Sequence, residues 1–448
     1  MFPNPQDALP LPQKPNLEQY RKLAKDLVRA AENGEAAVRD WSRHWVAALV
    51  RQSGTVTNRN QPVRVENWSQ GIADYLAKEL VEKKSPTLTR AQLAIARSHG
   101  FSSWPKFSKH VEQLIEAKTP ISHFEAAADA IVNGHAEKLK KLLRTNPDLV
   151  QSRSTREHAA MLLHYVSANG IEGYRQKTPQ NIVEIAKILF DAGAEVDVTC
   201  HVYGSDCTTL GLTATSVHPA KAGVMPDLLQ VLLDRGAAID KNDTAGHAQS
   251  LVFACLANGR LEAARFLAGK GARLDFVSAA ALGYIDTVKE KFNADGTRKA
   301  DLSRELMQEA FRYACGYGAN HVVEFLIKRG ADLAEHTGDG QSGTHYAVIF
   351  GRLDTLKLLL KYKPPLELTN MYGGTVLGQA LWSAAHGGDP EVYSQIIEAL
   401  IAAGAKVPER HVPVNPQIDA LLERYGSRPE PKWWWYGEEP ADKRRSSP

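Results

Sequence analysis

Hydrophobic residues recur at helical spacing along most of the chain, beginning after residue 15. The first such stretch follows Asn16, a residue type that favours helix N-caps. Two further stretches repeat the spacing, and Thr89 is expected to cap a later helix. These elements predict a small all-α domain over residues 16–118, preceded by a proline-rich flexible arm at residues 1–15.

From about residue 121 the hydrophobic pattern becomes periodic. Each period reads as a short turn, a helix with apolar residues at i, i+3 and i+4, and a Gly-Ala pair or a substitute. The segments NIVEIAKILFDAGAEVD, MPDLLQVLLDRGAAID and GRLEAARFLAGKGARLD share this template. The glycines of the clearest pairs are Gly193, Gly236, Gly271, Gly330 and Gly404. A repeat of helical modules is therefore predicted.

The periodic part, roughly residues 121–410, resembles the ankyrin repeat family. The interval between the glycines of two uninterrupted modules is close to that family's period of about 33 residues. The resemblance implies an all-α solenoid of about eight helix-pair modules, because one module cannot bury its apolar face alone. Residues 411–448 then read as a capping helix and a tail that holds Trp433–Tyr436. The whole chain is also similar to bacterial ankyrin repeat proteins of no assigned activity that carry a helical N-terminal domain.

Histidines mark the opening of two modules, although the family's Thr-Pro-Leu-His motif is degenerate here. They are His164, in a stretch read as the first helix of the second module, and His345 in the seventh. Such a histidine can act as a catalytic base or ligand. The family instead uses it to bond the neighbouring turn and to join modules, and we expect that structural role for both.

Composition and charge narrow the class of protein. A hydrophobic fraction of 43% is typical of a globular chain, and 54 basic against 51 acidic residues give no support for nucleic-acid binding. No stretch approaches the roughly 18 apolar residues of a membrane span, and the start of the chain lacks the apolar region of a secretory signal. The 4 cysteines are too few and too scattered for a disulfide framework. We expect a soluble, cytoplasmic protein with no cofactor and no nucleic-acid or membrane partner.

A long hairpin finger, TCHVYGSDCTTLG, separates the second and third modules. Its two cysteines, histidine and aspartate are zinc-compatible ligand types, but the spacing matches no standard metal site. A finger that presents His201 and Tyr203 to a partner is favoured over a metal site. A similar finger recurs as NMYGGTVLG, and the matching Gly204 and Gly373 are expected at positive φ.

Insertions interrupt the second and third modules at the same point, as NGIEGYRQKTPQN (169–181) and HPAKAGVM (218–225). Equivalent points of adjacent modules lie roughly 10 Å apart, so the two loops should be neighbours. Their acidic, basic and tyrosine side chains can bind an anion or perform acid–base chemistry. Alternatively the first loop only packs, with Tyr174 over an apolar end and Arg175 paired with Glu172. The finger is expected at the opposite end of the helix pair.

Three functions remain open. The family resemblance favours non-catalytic binding of a protein partner through a concave groove and the fingers, although fold is a weak guide to function. The alternative is an enzyme or small-molecule binder whose residues from the second and third modules converge in a closed pocket. No catalytic sequence motif is present to support an enzyme. The third possible function is that of a rigid spacer. The predicted groove residues are Tyr165, Ser167, Thr213, Thr215, Phe253, Cys255, Tyr313, Tyr346, Gln379 and Trp382. The candidate binding residues are Glu172, Tyr174, Arg175, His201, Tyr203, His218, Tyr346 and Trp382.

Overall fold

The computed structural model describes residues 4–12, 14–53, 61–83, 86–116, 118–241 and 250–430. The chain divides into two compact units between Arg273 and Leu274. Helices dominate both units, which confirms the predicted all-α class. The predicted aromatic tail, Trp433–Tyr436, lies outside the described residues.

The first unit is built from helices and one hairpin. Its α-helices are α1 (Leu17–Glu32), α2 (Glu35–Ser53), α3 (Gln61–Leu76), α4 (Leu88–Ser98), α5 (Trp104–Ile115), α6 (Pro120–Val132), α7 (Ala136–Thr145), α8 (Ile182–Asp191), α9 (Thr209–Thr215), α10 (Val217–Lys221), α11 (Met225–Asp234), α12 (Leu251–Ala257) and α13 (Leu261–Gly269). A π-helical segment, Ala77–Glu82, continues α3, and 3-10 turns cover Pro5–Asp7, Pro147–Gln151, Leu162–Ser167 and Gly173–Arg175. Strands β1 (Thr199–Val202) and β2 (Ser205–Thr208) pair antiparallel.

Helices α1 to α5 share one aromatic-rich core. The Asn16 side chain caps α1 as predicted, by accepting from the Glu18 amide at 2.9 Å. Helix α4 begins two residues earlier than predicted, because Thr87 and not Thr89 supplies the N-cap oxygen. Tyr20, His99 and Phe107 meet edge-on or stacked at ring distances of 4.9–5.3 Å. These aromatic contacts hold the helices of this part together.

Part of the predicted flexible arm is packed instead. Leu9 is 2% exposed and joins the same core, and its amide donates to the carbonyl of Ser98 at 2.8 Å. The carbonyl of Leu9 lies 3.1 Å from Nδ1 of His99. Proline content gave no indication of this packing, in which Ala8, Leu9 and Pro10 are all buried.

Helix pairs follow in the rest of the first unit. Helix α6 packs against α7, the 3-10 turn Leu162–Ser167 against α8, α9 against α11, and α12 against α13. The second module opens with a 3-10 turn and not the predicted α-helix, because Ala168 adopts the left-handed conformation at φ 49° and ends it. The predicted insertion at 218–225 overlaps the short helix α10.

The second unit continues with helix pairs in its described part. Its elements are α14 (Phe276–Leu282), α15 (Ile285–Lys289), α16 (Arg304–Tyr317), α17 (Asn320–Lys328), α18 (Gly343–Ile349), α19 (Leu353–Leu360), α20 (Val376–Ala385), α21 (Pro390–Ala402), β3 (Arg410–His411), α22 (Pro416–Arg424) and β4 (Arg428–Pro429). The first helices of the pairs, α14, α16, α18 and α20, pack side by side. The predicted domain bounds and the assignment of the pairs to about eight modules stay a prediction.

The motif histidines have the predicted structural role. Nδ1 of His164 accepts from the Met161 amide at 3.1 Å, and its Nε2 donates to the carbonyl of Val198 at 3.0 Å. Nδ1 of His345 lies 2.9 Å from the hydroxyl of Ser342, the N-cap residue of α18. Both rings therefore bind the turns that open or follow their own helices.

Candidate functional site

The insertion at 169–181 places the side chains of Glu172 and Arg175 in the interior of the first unit. Arg175 Nη1 lies 2.8 Å from Glu125 Oε2 on α6, and Arg175 Nη2 lies 2.8 Å from Asp129 Oδ1. Arg156 contacts Glu125 Oε1 at 2.6 Å and Glu172 Oε1 at 2.9 Å. We call Glu125, Arg156, Glu172 and Arg175 the buried ionic cluster.

Each charge in the buried ionic cluster is stabilised by the opposite charges around it. Burial alone would raise the pKa of Glu125, but Arg156 and Arg175 outweigh burial and lower that pKa to about 2. The same two guanidinium groups hold the pKa of Glu172 well below its usual range. The cluster is therefore ionised at neutral pH, and its role in the fold depends on that pairing.

Tyrosines complete the polar shell of the cluster. The hydroxyl of Tyr174 accepts from Arg156 Nη2 at 3.2 Å, and the hydroxyl of Tyr165 lies 3.4 Å from Glu172 Oε1. Arg175 also lies over the Tyr174 ring, 5.5 Å from its centroid. Three of the candidate residues, Glu172, Tyr174 and Arg175, thus serve packing, which is the alternative that the sequence left open.

The first finger is a tight hairpin that reaches back to the insertion. Tyr203 and Gly204 join β1 to β2 with φ of 55° and 79°, the pattern of a type I′ turn. The Tyr203 hydroxyl donates to Asn169 Oδ1 at 2.7 Å, and the Asn169 amide group donates to Leu212 and Thr215 at 3.1 Å each. The prediction that finger and insertion occupy opposite ends of the module is therefore wrong.

The other two candidate residues from these modules lie apart from the ionic cluster. His201 is exposed on β1, and its Nδ1 lies 3.2 Å from Asp206 Oδ1 across the hairpin. His218 is half-buried and lines a cleft together with Tyr203. Of the six candidate residues from the second and third modules, only Tyr203 and His218 line this cleft. The other four are Glu172, Tyr174, Arg175 and His201. Among the described residues no group of three or more His, Cys, Asp or Glu side chains could hold a metal ion.

The cleft beside Tyr203 has a volume of about 630 Å³, within the range of roughly 300–1,000 Å³ that small-molecule sites occupy. The insertion, the hairpin, the α9–α10 junction, helix α12 and the turn between α12 and α13 each contribute to its walls. Its lining includes apolar side chains such as Leu212 and Leu251, polar ones such as Asn169 and Asn258, and the cation Arg260.

A separate group of aromatic side chains lies on the first helices of the second unit. The ring centroids of Tyr313 and Tyr346 are 5.6 Å apart, across α16 and α18. One helical turn further on, the rings of Tyr317 and Phe350 are 5.0 Å apart. Residues four apart share a helix face, so the two contacts form successive rungs.

Helix α20 carries a third pair at the same spacing. Trp382 stacks on His386 with the ring centroids 4.2 Å apart. Trp382 is 55% exposed, whereas Tyr346 is half-buried. The aromatic ladder is the set Tyr313, Tyr317, Tyr346, Phe350, Trp382 and His386.

The second finger carries two exposed side chains. Met371 is 66% exposed and Tyr372 is 83% exposed. Gly373 adopts a φ of 76°, as predicted, and the Met371 amide donates to the carbonyl of Asp339 in the preceding turn at 2.7 Å. The finger therefore has a fixed backbone and an apolar surface.

Packing claims several of the residues that were predicted to line a groove. Tyr165, Ser167, Thr213 and Cys255 are fully buried in the first unit. Sequence reasoning also missed residues that complete the aromatic ladder and the buried ionic cluster. The aromatic pairs at i and i+4 were a readable signal for Phe350 and His386, whereas Glu125 and Arg156 carried no local signal because their partners are distant along the chain.

The family comparison bears on the second unit. The model for ankyrin repeats (3 copies) matches residues 276–370 and 311–411. This part of the chain belongs to the ankyrin repeat family. The ankyrin match spans the helices that carry the aromatic ladder and the second finger, and it confirms the predicted family.

A human relative also matches. Transient receptor potential cation channel subfamily A member 1 from Homo sapiens is 24% identical over 213 residues, which cover 44% of this chain and 18% of that protein. The chain thus corresponds to less than a fifth of the relative's length. None of the helices in the described residues combines the length and the apolar character needed to cross a membrane.

Proposed function

We propose that the protein is a non-catalytic binding module whose second unit recognises a protein partner through the aromatic ladder and the second finger. Ankyrin repeats are generally protein-interaction modules, and the family match covers this unit. The observation that carries the proposal is the exposure of Trp382, which is 55% accessible and stacks on His386 at the end of α20.

The chemistry of this surface suits a weakly charged partner segment. Of the aromatic ladder, Trp382 and His386 are exposed, and Tyr313, Tyr346 and Phe350 are half-buried. These rings offer contact area with little formal charge, and protein interfaces are enriched in aromatic residues at their centre. Met371 and Tyr372 extend the apolar surface at the finger. We therefore expect an apolar or proline-containing segment of another protein, which can stack on these rings.

A binding measurement tests this proposal. The full chain is used to capture partners from the cells that encode it, and the recovered protein is purified and titrated against wild type and Trp382→Ala. Loss of a buried interface tryptophan costs about 2 kcal/mol or more, so the Kd should rise roughly thirtyfold.

Tyr425→Ala is the matched control, because Tyr425 is 53% exposed and lies outside the aromatic ladder. It should leave the Kd unchanged. Equal Kd values for wild type and Trp382→Ala would refute the proposed surface. Circular dichroism of each variant establishes that the helices remain folded.

The proposal places this activity in a reducing compartment such as the cytoplasm. The four cysteines are free, and Cys200, Cys255 and Cys315 are buried. Free thiols support this proposal, because disulfides are rare in reducing compartments.

A further inference from the structure

We propose that the cleft beside Tyr203 in the first unit is a binding site for a small organic anion, held by Arg260. The site is distinct from the protein-binding surface proposed above, because all of its described lining residues belong to the first unit. It also differs from the predicted pocket, since Glu172, Tyr174 and Arg175 do not line it.

Charge is the first reason to expect an anion. Among the described residues, the lining of the cleft includes Arg260 and no aspartate or glutamate. Within the described residues Arg260 forms no ion pair with a carboxylate, and its Nη1 donates a long hydrogen bond of 3.4 Å to the carbonyl of Gly259. A guanidinium group without a counter-charge at the edge of a concave site favours a carboxylate or phosphate ligand.

The remaining lining explains why the ligand should be organic and not a bare ion. Leu212, Val217, Leu251 and Ala254 provide apolar surface, and Asn258 supplies an amide group beside them. Pockets that bind small molecules combine such apolar walls with a few polar groups that fix orientation. A volume of about 630 Å³ accommodates a ring with an acidic substituent.

The walls of the cleft are held in place by hydrogen bonds, so it is largely preformed. The Tyr203 hydroxyl accepts from the Gly170 amide at 3.3 Å and donates to Asn169. Asn169 in turn bonds Thr215 at the end of α9. The insertion, the finger and the third module are thereby fixed around one cleft, and a preformed site loses little ordering entropy on binding.

Cys207 gives a direct report of occupancy. It lines the cleft and is half-buried, whereas Cys200, Cys255 and Cys315 are buried. Alkylation of the full chain by N-ethylmaleimide, located by peptide mass spectrometry, should therefore occur first at Cys207. A ligand in the cleft should slow that reaction, and Cys207→Ser identifies the signal.

The probes are benzoate and phenyl phosphate, with benzamide as the uncharged counterpart of benzoate. At least one anion should protect Cys207 saturably, and benzamide should require at least tenfold higher concentration. The carboxylate and phosphate arms show which anion the cleft prefers. Arg260→Gln should weaken protection at least tenfold, because a hydrogen bond to a charged group is worth a factor of this size.

Arg265→Gln is the matched control, because Arg265 is exposed on α13, whose N-cap residue is Arg260. It should leave protection unchanged. The proposal is overturned if neither anion protects Cys207 at tens of millimolar, if benzamide protects as well as benzoate, or if the two arginine variants behave alike. Isothermal titration with the same probes on Cys207→Ser checks that the result does not depend on the alkylation chemistry.

Discussion

Removal of Arg156 should destabilise the first unit strongly, because that guanidinium group is shared by two buried carboxylates. Its side chain is 2% exposed, and it lies 2.6 Å from Glu125 and 2.9 Å from Glu172. In Arg156→Met the carboxylates of Glu125 and Glu172 stay buried, but they lose one of the two guanidinium groups that offset their charge. Breaking a buried pair by removing one partner costs about 3–5 kcal/mol.

Hydrogen exchange of the full chain measures this loss locally. Peptides that cover α6 and residues 169–176 should exchange roughly a thousandfold faster in Arg156→Met, if opening of this part limits their exchange. Arg153→Met is the control: Arg153 is exposed and donates to the carbonyls of Ala159 and Thr199, so its loss should cost less than about 1 kcal/mol.

The pH dependence separates lost charge pairing from lost packing. In the wild type the depressed pKa of Glu125 gives stability that is present above pH 4.5 and is lost as the pH falls towards 2. Without Arg156 the carboxylates take up protons at a higher pH, and a neutral carboxyl group costs less free energy to bury than a charged one. The difference between wild type and Arg156→Met should therefore shrink between pH 7 and pH 4. A difference below about 1 kcal/mol, or one that does not change with pH, would refute this reasoning.

Three further predictions concern the same fold. Burial lowers the pKa of His99 to about 3 and that of His164 to about 4, so the unfolded chain binds more protons than the folded chain below pH 6.5. In urea unfolding, each histidine should therefore remove roughly 2 kcal/mol of stability between pH 6.5 and 5. If the free energy of unfolding of His164→Gln falls as steeply with pH as that of the wild type, the reasoning is contradicted. Gly340 has a φ of 80°, and Gly340→Ala places a Cβ 2.6 Å from the Asn370 backbone. Its melting temperature should fall well below that of Gly373→Ala, where the new Cβ meets no atom and costs only backbone strain of about 1 kcal/mol. Equal melting temperatures would refute the close contact. Asn169→Ala should cost about 1–3 kcal/mol in thermal unfolding, because it removes the hydrogen bonds of Asn169 with Tyr203, Leu212 and Thr215. A neutral result would contradict that role.

The sequence predicted those features that depend on local patterns. Helical periodicity indicated the all-α class, Asn16 was recognisable as a cap, and Gly373 was recognisable as a turn glycine. Each of these depends on residues within a few positions of one another. The same local reasoning suggested that Arg175 pairs with Glu172, and the two lie 3.7 Å apart.

Long-range contacts were beyond this kind of reasoning. The ion pair between Arg156 and Glu125 joins residues 31 positions apart, and neither residue stands out in its own segment. Placement of the first finger relied on generic module geometry, which omitted the bond from Tyr203 to Asn169. The candidate cleft and the buried ionic cluster were therefore merged in the prediction, although they use different residues of the same insertion.

A hydrogen-exchange footprint of the partner-bound full chain tests the central claim most directly. The account predicts slower exchange in α16, α18 and α20 and at the second finger, Asn370–Gly374, with no change in α8 of the first unit. The same titration with Trp382→Ala should lose that footprint at equal partner concentration. Protection confined to the first unit, or none on the helices of the aromatic ladder, would contradict protein recognition through this surface.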